Sequence, residues 1–409
     1  MKYVVIGASA AGISGAKTLR ELDKEAQIIL ISKDENVYSR CILHHYISGH
    51  RDVEKLNFAR SDFFEINNIN WVKGVEVLAV NDKEQTVKLS NGDSVSYDKL
   101  MICSGASSFI PPIEGLREAN NVVGLRNLDD AVLIKEQIKN IQNAVVLGAG
   151  LVGIDAVSGL LDTGVNVTLV EMGEKVLPLQ LDEYTSDVYK HKFIERGVHL
   201  KLGVRAEKLI LDENKNPKAL VINTGEEIPC ELVIVATGVR SNIQFLESSN
   251  IECDRFGMLI DERGKTNVDN VYGAGDVTGR NPIWPTAVKE GIIAAYNMLG
   301  HDKIMTDFFG SKNTMNFVGI PTMSLGNIEP IDDTYTVEIK IEEEKGNYKK
   351  IIHKDGEIYG AILQGDLSYA GVLTQIIREK LDISKIEKNV FDISYADFFK
   401  IGKGEEYIY

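Results

Sequence analysis

The chain has 409 residues, enough for roughly two to four domains with sizeable cores. Its formal net charge of −15 gives no bulk attraction for nucleic acid or an anionic membrane, and no apolar run is long enough to span a bilayer. Cys41, Cys103, Cys230 and Cys253 are scattered, with no CxxC pair, so neither a disulfide framework nor a zinc site is suggested.

The N-terminus begins at once on an apolar strand, Tyr3 to Ile6, which leaves no room for a signal peptide and points to the cytoplasm. That strand runs into Gly7-Ala8-Ser9-Ala10-Ala11-Gly12 at the start of a helix. Glycines in such a turn let backbone amides approach a dinucleotide pyrophosphate at the positive end of the helix. The next strand, Ile28 to Ile31, ends in Ser32-Lys33-Asp34-Glu35, and which of these side chains holds the ribose is left open. A helical stretch around Cys41 follows, then a β-rich excursion from Val75 to Val95 that includes Val77. The strand Lys99 to Cys103 closes into Ser104-Gly105-Ala106, and the pattern breaks at Pro111-Pro112.

From about residue 120 the same logic restarts. A helix is predicted from Asp129 to Ile141, then a strand, Ala144 to Leu147, leading into Gly148-Ala149-Gly150-Leu151-Val152-Gly153. The strand Asn166 to Val170 ends in Glu171, a little over twenty residues past the first glycine. A carboxylate there can accept both ribose hydroxyls of NADH and repel a 2′-phosphate, and no arginine follows it, so NADH is preferred to NADPH. One such turn is weak evidence, but the pair, each between a strand and a helix, predicts two bound dinucleotides. The second unit closes with Leu232 to Val235 and Ala236-Thr237-Gly238, and reads as an insertion into the first. Val271 to Asp276 is a strand ending in an acidic turn, and a helix follows near Pro285 to Leu299, with Pro at its favoured first position and Thr286 and Ala287 in the first turn.

From about 310 the pattern becomes a small α+β domain: strands Tyr335 to Ile341, Lys349 to His353 and Ile358 to Leu363, then a helix, Tyr369 to Lys380. The run Glu342-Glu343-Glu344-Lys345 reads as a solvated hairpin loop. The expected fold is α/β: two Rossmann-like dinucleotide-binding domains, the second (111–240, for NAD) inserted in the first (1–110 and 241–309), plus a C-terminal α+β domain (310–409).

These residues together resemble the pyridine nucleotide-disulfide oxidoreductase family over nearly the whole chain. The resemblance implies FAD on Gly7, Ser9, Ala10, Ala11 and Gly12, with Lys33, Arg40, Val77, Ser104 and Gly105 around it and Asp276 accepting a ribityl hydroxyl. It also implies that the helix end at Thr286 and Ala287 faces the flavin, where a partial charge of roughly half a unit favours a reduced, anionic ring. NADH would lie on Gly148, Gly150, Leu151, Val152 and Gly153, with Glu171 and Gly238. Asp155 stands where the family usually has a glutamate near the nicotinamide, so its shorter arm departs from the pattern.

The segment Tyr38-Ser39-Arg40-Cys41-Ile42-Leu43-His44-His45-Tyr46 is the part that passes beside the flavin in similar proteins. Tyr46 fills the place of the second thiol of CxxxxC enzymes, which excludes a two-thiol disulfide exchange there. Cys41 fits the single-thiol place of coenzyme A-disulfide reductases and NADH oxidases or peroxidases. With Ser39 as N-cap, Cys41 would sit in a first helical turn, beside Arg40 and within reach of His44 or His45, a setting that activates a thiol. The same words also resemble the Tyr-Ser-Lys-Pro-type segment of NADH:rubredoxin oxidoreductases and nitrite reductase flavin modules, and segments 317–326, 358–366, 370–373 and 377–380 resemble the C-terminal domain of that group.

The reading is an FAD-dependent NADH oxidoreductase that passes electrons to a small redox protein such as rubredoxin. Two alternatives stand: an NADH-dependent reductase of coenzyme A-disulfide, persulfide, peroxide or oxygen through Cys41, and an NADH-responsive redox sensor or assembly subunit. An acidic carrier needs a local basic patch, for which Arg40, Arg51 and Arg60 are the candidates. A homodimer through the C-terminal domain is left open.

Overall fold

The computed structural model describes residues 1–306, 312–401 and 407–408, so the domain boundary expected at 309/310 lies outside the described residues. The chain forms two compact units: Met1–Pro112 with Leu116–Ile141 and residues 234–306, and Ile113–Gly115 with Gln142–Val233 and the C-terminal part. No helix among the described residues is long and apolar enough to cross a membrane.

The first unit is built on a five-stranded sheet in the order Val271–Gly273, Lys99–Ile102, Lys2–Ile6, Gln27–Ser32, Ile69–Lys73. All its pairings are parallel, as expected of strands that read as unbroken apolar runs because both faces are covered. Tyr3 and Val5 point to one face, where the helices Ala10–Leu22 and Trp284–Met298 pack. Val4 and Ile6 point to the other, which is covered by Val77, Val80, Val87 and Leu89 of a small antiparallel sheet. The two helices approach closely because Gly291 has no side chain: a Cβ there would overlap the backbone of Ala11. The second helix starts one residue before the expected proline, at Trp284.

In the second unit Asn143–Leu147, Asn166–Val170 and His199–Lys201 lie parallel and in register, with the helix Leu151–Leu160 following the first. The C-terminal part is a five-stranded antiparallel sheet in the order Asn313–Phe317, Ile320–Gly326, Glu357–Gln364, Asn347–Lys354, Thr336–Glu342. The helix Ala370–Glu379 buries Leu373 and Ile376. The hairpin Asn313–Gly326 is absent from the sequence reading. Its turn uses Val318 and Gly319, both at positive φ (47° and 80°), and a β-branched residue in that conformation gives no turn signal.

A buried polar cluster joins this sheet to the second dinucleotide unit. Asp182 caps the helix Glu183–Glu195 by accepting from the Thr185 amide (3.0 Å) and hydroxyl (2.6 Å). Its other oxygen accepts from the Tyr348 hydroxyl at 2.6 Å and faces the Lys350 ammonium at 3.4 Å, and Lys350 also reaches Glu329 at 2.8 Å. Burial alone would raise the Asp182 pKa, but the hydrogen bonds from Thr185 and Tyr348 and the Lys350 charge outweigh it and hold the carboxyl below its usual range. A carboxyl depressed in the fold stabilises it fully above the unfolded value, and that contribution is lost as pH falls through the folded value. Tyr348→Phe should therefore cost about 1.5–3 kcal/mol at neutral pH. In urea titrations at several pH values, the gap from wild type should close below about pH 4; a gap independent of pH would refute this account of Asp182.

Candidate functional site

The two glycine turns are local copies of each other. The Gly7 amide donates to the Ile31 carbonyl at 2.8 Å and the Gly148 amide to the Val170 carbonyl at 2.8 Å. Their φ values are +107° and +102°, which a side chain would strain. At Gly7 a Cβ would also overlap the Cys103 carbonyl, and at Gly12 it would overlap the Gly7 carbonyl. Ser9 and Gly150 are the N-caps of the two helices.

In the first unit a cavity of about 720 Å³ opens at the carboxyl ends of the strands. Of the residues expected around FAD, Gly7, Ser9, Ala10, Ala11, Lys33, Arg40, Cys41, Val77, Ser104, Gly105, Asp276 and Ala287 all line it. Gly12 and Thr286 do not: Gly12 acts through packing and Thr286 is buried. Among the four candidates at the end of the second strand, Ser32, Lys33 and Asp34 line the cavity, whereas Glu35 packs against Gly74.

Two ion pairs lie on the cavity wall. Arg126 forms an ion pair with Asp276 and donates to the Ala106 carbonyl at 3.1 Å. Arg40 pairs with Asp34 at 2.9 Å and also donates to Asn127, to the Arg126 carbonyl (2.9 Å) and to the Tyr38 hydroxyl (3.0 Å). Burial pushes the Tyr38 phenol up to about 12, despite the nearby Arg40 charge. Glu290, on the helix Trp284–Met298, accepts from the Gly275 amide at 2.7 Å, and burial raises it to about 7 against that hydrogen bond. Sequence reasoning missed Arg126, Asn127 and Glu290. Arg126 had a usable signal, since it precedes an Asn127 to Asp130 capping box in which Asp130 accepts from the Arg126 and Asn127 amides.

The expected setting of Cys41 needs correcting. It lies in a three-residue 3₁₀ turn, Arg40–Ile42, and the α-helix begins only at Leu43 and ends at Ile47. Ser39 makes no side-chain cap bond, and the short turn offers little dipole. His45 is pushed down to about 4 by burial and by His44, Arg51 and His50, so it is neutral at pH 7 and is not a cationic thiolate partner. It also does not line the cavity. Cys41 itself is exposed, whereas Cys103, on the same cavity wall, is buried, and burial pushes its thiol far up. Cys230 is buried and Cys253 exposed. Of the arginines considered for a basic patch, Arg40 is bound to Asp34, and Arg60 to Asp62 at 2.8 Å. Arg51 donates to the Lys55 carbonyl at 3.1 Å.

In the second unit Leu151, Val152 and Gly153 form the first turn of the helix after Gly150, with half-buried Asp155 one position further than a turn from Leu151. Glu171 follows the strand and accepts from the amides of Ala149 and Gly173, each at 2.7 Å, so its carboxylate is held at the glycine turn. Gly238 belongs to the first unit, at φ +110°, and its carbonyl accepts from Phe109 at 3.0 Å.

The first cavity fits a dinucleotide. Its volume suits a large ligand, a helix N-terminus with only small side chains forms one wall, carboxylates of Asp34 and Asp276 can accept hydroxyls, and Trp284 and Ile283 give an apolar surface.

Residues 1–291 match the family model "Pyridine nucleotide-disulphide oxidoreductase", and residues 312–381 match "Rubredoxin NAD+ reductase C-terminal domain". The chain is 31% identical over 398 residues to the NADH-dependent phenylglyoxylate dehydrogenase subunit epsilon of Aromatoleum evansii, covering 94% of this chain and 93% of that one. It is 26% identical to the NADH-rubredoxin oxidoreductase of Clostridium acetobutylicum, over 95% and 96% of the two chains. Among solved structures, the NAD-dependent persulfide reductase from A. fulgidus superposes with a TM-score of 0.84 at 25% identity, covering 93% of this chain and 77% of that one. The paired glycine turns, the cavity and these matches agree: the chain belongs to the pyridine nucleotide-disulphide oxidoreductase family and is an FAD-dependent NAD(P)H oxidoreductase.

Proposed function

We propose that this oxidoreductase passes electrons from NADH to a small protein carrier of the rubredoxin type. The observation that carries the reading is the match of residues 312–381 to the C-terminal domain of rubredoxin NAD+ reductase, on a chain that also aligns end to end with an NADH-rubredoxin oxidoreductase. The relative from Aromatoleum evansii is named as a subunit, which suits a flavoprotein that serves a protein acceptor, free or fixed in an assembly. Division of the chain into an FAD domain, an NAD domain and a C-terminal domain, location in the cytoplasm, and self-association through the C-terminal domain belong to the same proposal.

Bound FAD supplies a hydride acceptor that can release electrons singly. The protein does the positioning. Ser9, Ala10 and Ala11 offer first-turn amides to the pyrophosphate of FAD, and Asp276, oriented by Arg126, accepts a hydroxyl. The Gly148 turn holds NADH in the same way, and Glu171 accepts from its ribose while staying bonded to the Ala149 amide. The apolar wall at Trp284 and Ile283 excludes water from the reacting edge.

Under anaerobic conditions NADH with catalytic enzyme should reduce rubredoxin at a rate comparable to ferricyanide. Because Arg40 and Arg60 are already paired, the transfer should speed up as salt screens the repulsion of two acidic proteins. Normal ferricyanide reduction with no reduction of any rubredoxin would sink the proposal.

Cys41 supports a second reading, because its exposed thiol lines the FAD cavity and the chain resembles a persulfide reductase. Cys41→Ser should keep at least half of the NADH to rubredoxin rate, and anaerobic titration should bleach the flavin with one equivalent of NADH. Consumption of a first equivalent before bleaching, with a long-wavelength charge-transfer band that the variant lacks, would favour the thiol reading.

Loss of the Glu171 carboxylate removes a charged hydrogen-bond acceptor for the ribose and the repulsion of a 2′-phosphate. Glu171→Ala should therefore lower kcat/KM for NADH by about 10- to 100-fold and that for NADPH much less. An equal loss with both coenzymes would show that Glu171 only braces the turn.

A further inference from the structure

No step of hydride or electron transfer uses Glu290, a buried carboxyl in the second turn of the helix Trp284–Met298. It is 9% exposed and accepts from the Gly275 amide at 2.7 Å. Gly275 and Asp276 line the first-unit cavity, so the carboxylate stands against the wall of that cavity. Glu290 also lines a void of about 10 Å³, room for one water molecule, together with Arg280, Asp261 and Glu262. Those three residues are exposed, so the void leads towards solvent. The charges around Glu290 are committed. Asp276 is paired with Arg126 and Glu262 with Arg263, Arg280 donates to the carbonyls of Ile260 and Asp261, and the Asp261 carboxylate accepts from the amides of Arg263 and Lys265. Cys103 is held as a thiol, by burial first and by Glu290 second. From the helix Ala10–Leu22 it is Ala11 that packs on Gly275. Burial, with Asp276 adding to it, raises the Glu290 carboxyl to about 7 against the Gly275 bond and the Arg280 charge. Of these groups Glu290 is therefore the one able to change charge near neutral pH.

We infer that Glu290 is the proton store of this cavity: its carboxylate takes one proton from solvent, by way of the void, when reduction adds a negative charge to the flavin, and returns it when the electrons leave. The step balances. NADH passes a hydride, two electrons and one proton, and leaves as NAD+, so the flavin gains one negative charge. A negative charge brought near a carboxylate favours its protonated form, the more so in a cavity shielded from water. When an acceptor removes the two electrons, the hydride-derived proton and the proton on Glu290 both go back to solvent. The protonated carboxyl keeps a carbonyl oxygen for the Gly275 amide, so the turn that carries Asp276 stays in place in both states. The inference rests on FAD lying in the first-unit cavity and stands whichever acceptor takes the electrons.

Proton uptake on stoichiometric anaerobic reduction of the holoenzyme by NADH, read with a pH indicator in weak buffer, tests this. Glu290→Gln can still accept from Gly275 but cannot take a proton. Wild type should take up about half a proton per flavin more than Glu290→Gln at about pH 8, and close to none more at about pH 6, where the carboxyl is already protonated. In infrared difference spectra of wild type at the higher pH, reduction should raise a protonated-carboxyl C=O band that shifts in D2O. Asp276→Ala should bind FAD at least about tenfold more weakly, which places FAD in this cavity without reference to Glu290. Equal proton uptake by wild type and Glu290→Gln, or no carboxyl band in wild type, would overturn the store. Unchanged FAD affinity in Asp276→Ala would overturn the placement of FAD on which it rests.

Discussion

Everything at the first-unit cavity depends on the approach of three strands to one glycine. The Gly7 amide is bonded to the Ile31 carbonyl, and the Cys103 amide to the Ile6 carbonyl, each at 2.8 Å. The Cys103 carbonyl occupies the space a side chain at residue 7 would need. Three parallel strands thereby end level with one another, and the cavity opens at those ends, where α/β sheets place their ligands. The Ala274 amide, bonded to Ile102 at 3.1 Å, ties in the fourth strand and so brings Asp276 to the same rim. One missing methyl group is thus what allows the helix amides and the acidic turn to face the same space.

The second organising principle is charge pairing in a partly desolvated wall. Unpaired, Asp276, Arg126, Asp34 and Arg40 would each carry a desolvation cost; as two pairs they are held in defined orientations. The pairs share a hinge, because Arg40 also bonds the Arg126 carbonyl and Asn127. Tyr38 accepts from the Leu128 amide at 3.1 Å, which adds a further tie between the Cys41 segment and the helix Leu128–Gln137. The segment from Tyr38 to Ile42 is therefore positioned by the start of that helix as well as by its own backbone.

Much of this was legible in the sequence, and the reasons are physical. Strand, glycine turn and helix are local patterns, so both fingerprints and the proline-led helix fall where their residues predict, within a residue or so at the helix start. What escaped is non-local or locally atypical. Arg126 meets Asp276 across 150 positions, and Glu290 meets Gly275 from a helix whose other residues explain it as packing. The hairpin through Val318 and Gly319 lacks a turn residue at its first left-handed position. At Cys41 the local pattern of Ser, Arg, Cys and two His suggests an activated helix start, but Tyr38 and Arg40 are drawn to Asp34 and Asn127, and the chain takes a tighter turn instead.

That last difference bears on the choice between a carrier and a thiol enzyme. A thiol that attacks substrates is favoured by positive potential from a helix end, an arginine or an imidazolium. Here the helix of five residues begins two positions after Cys41, the Arg40 guanidinium is shared among Asp34, Tyr38, Asn127 and a carbonyl, and His45 is neutral down to about pH 4. These same contacts fix the wall of the cavity beside Cys41. Two ion pairs that each fix a lining carboxylate make this part of the wall rigid, and a rigid wall holds its dipoles in place without reorganisation.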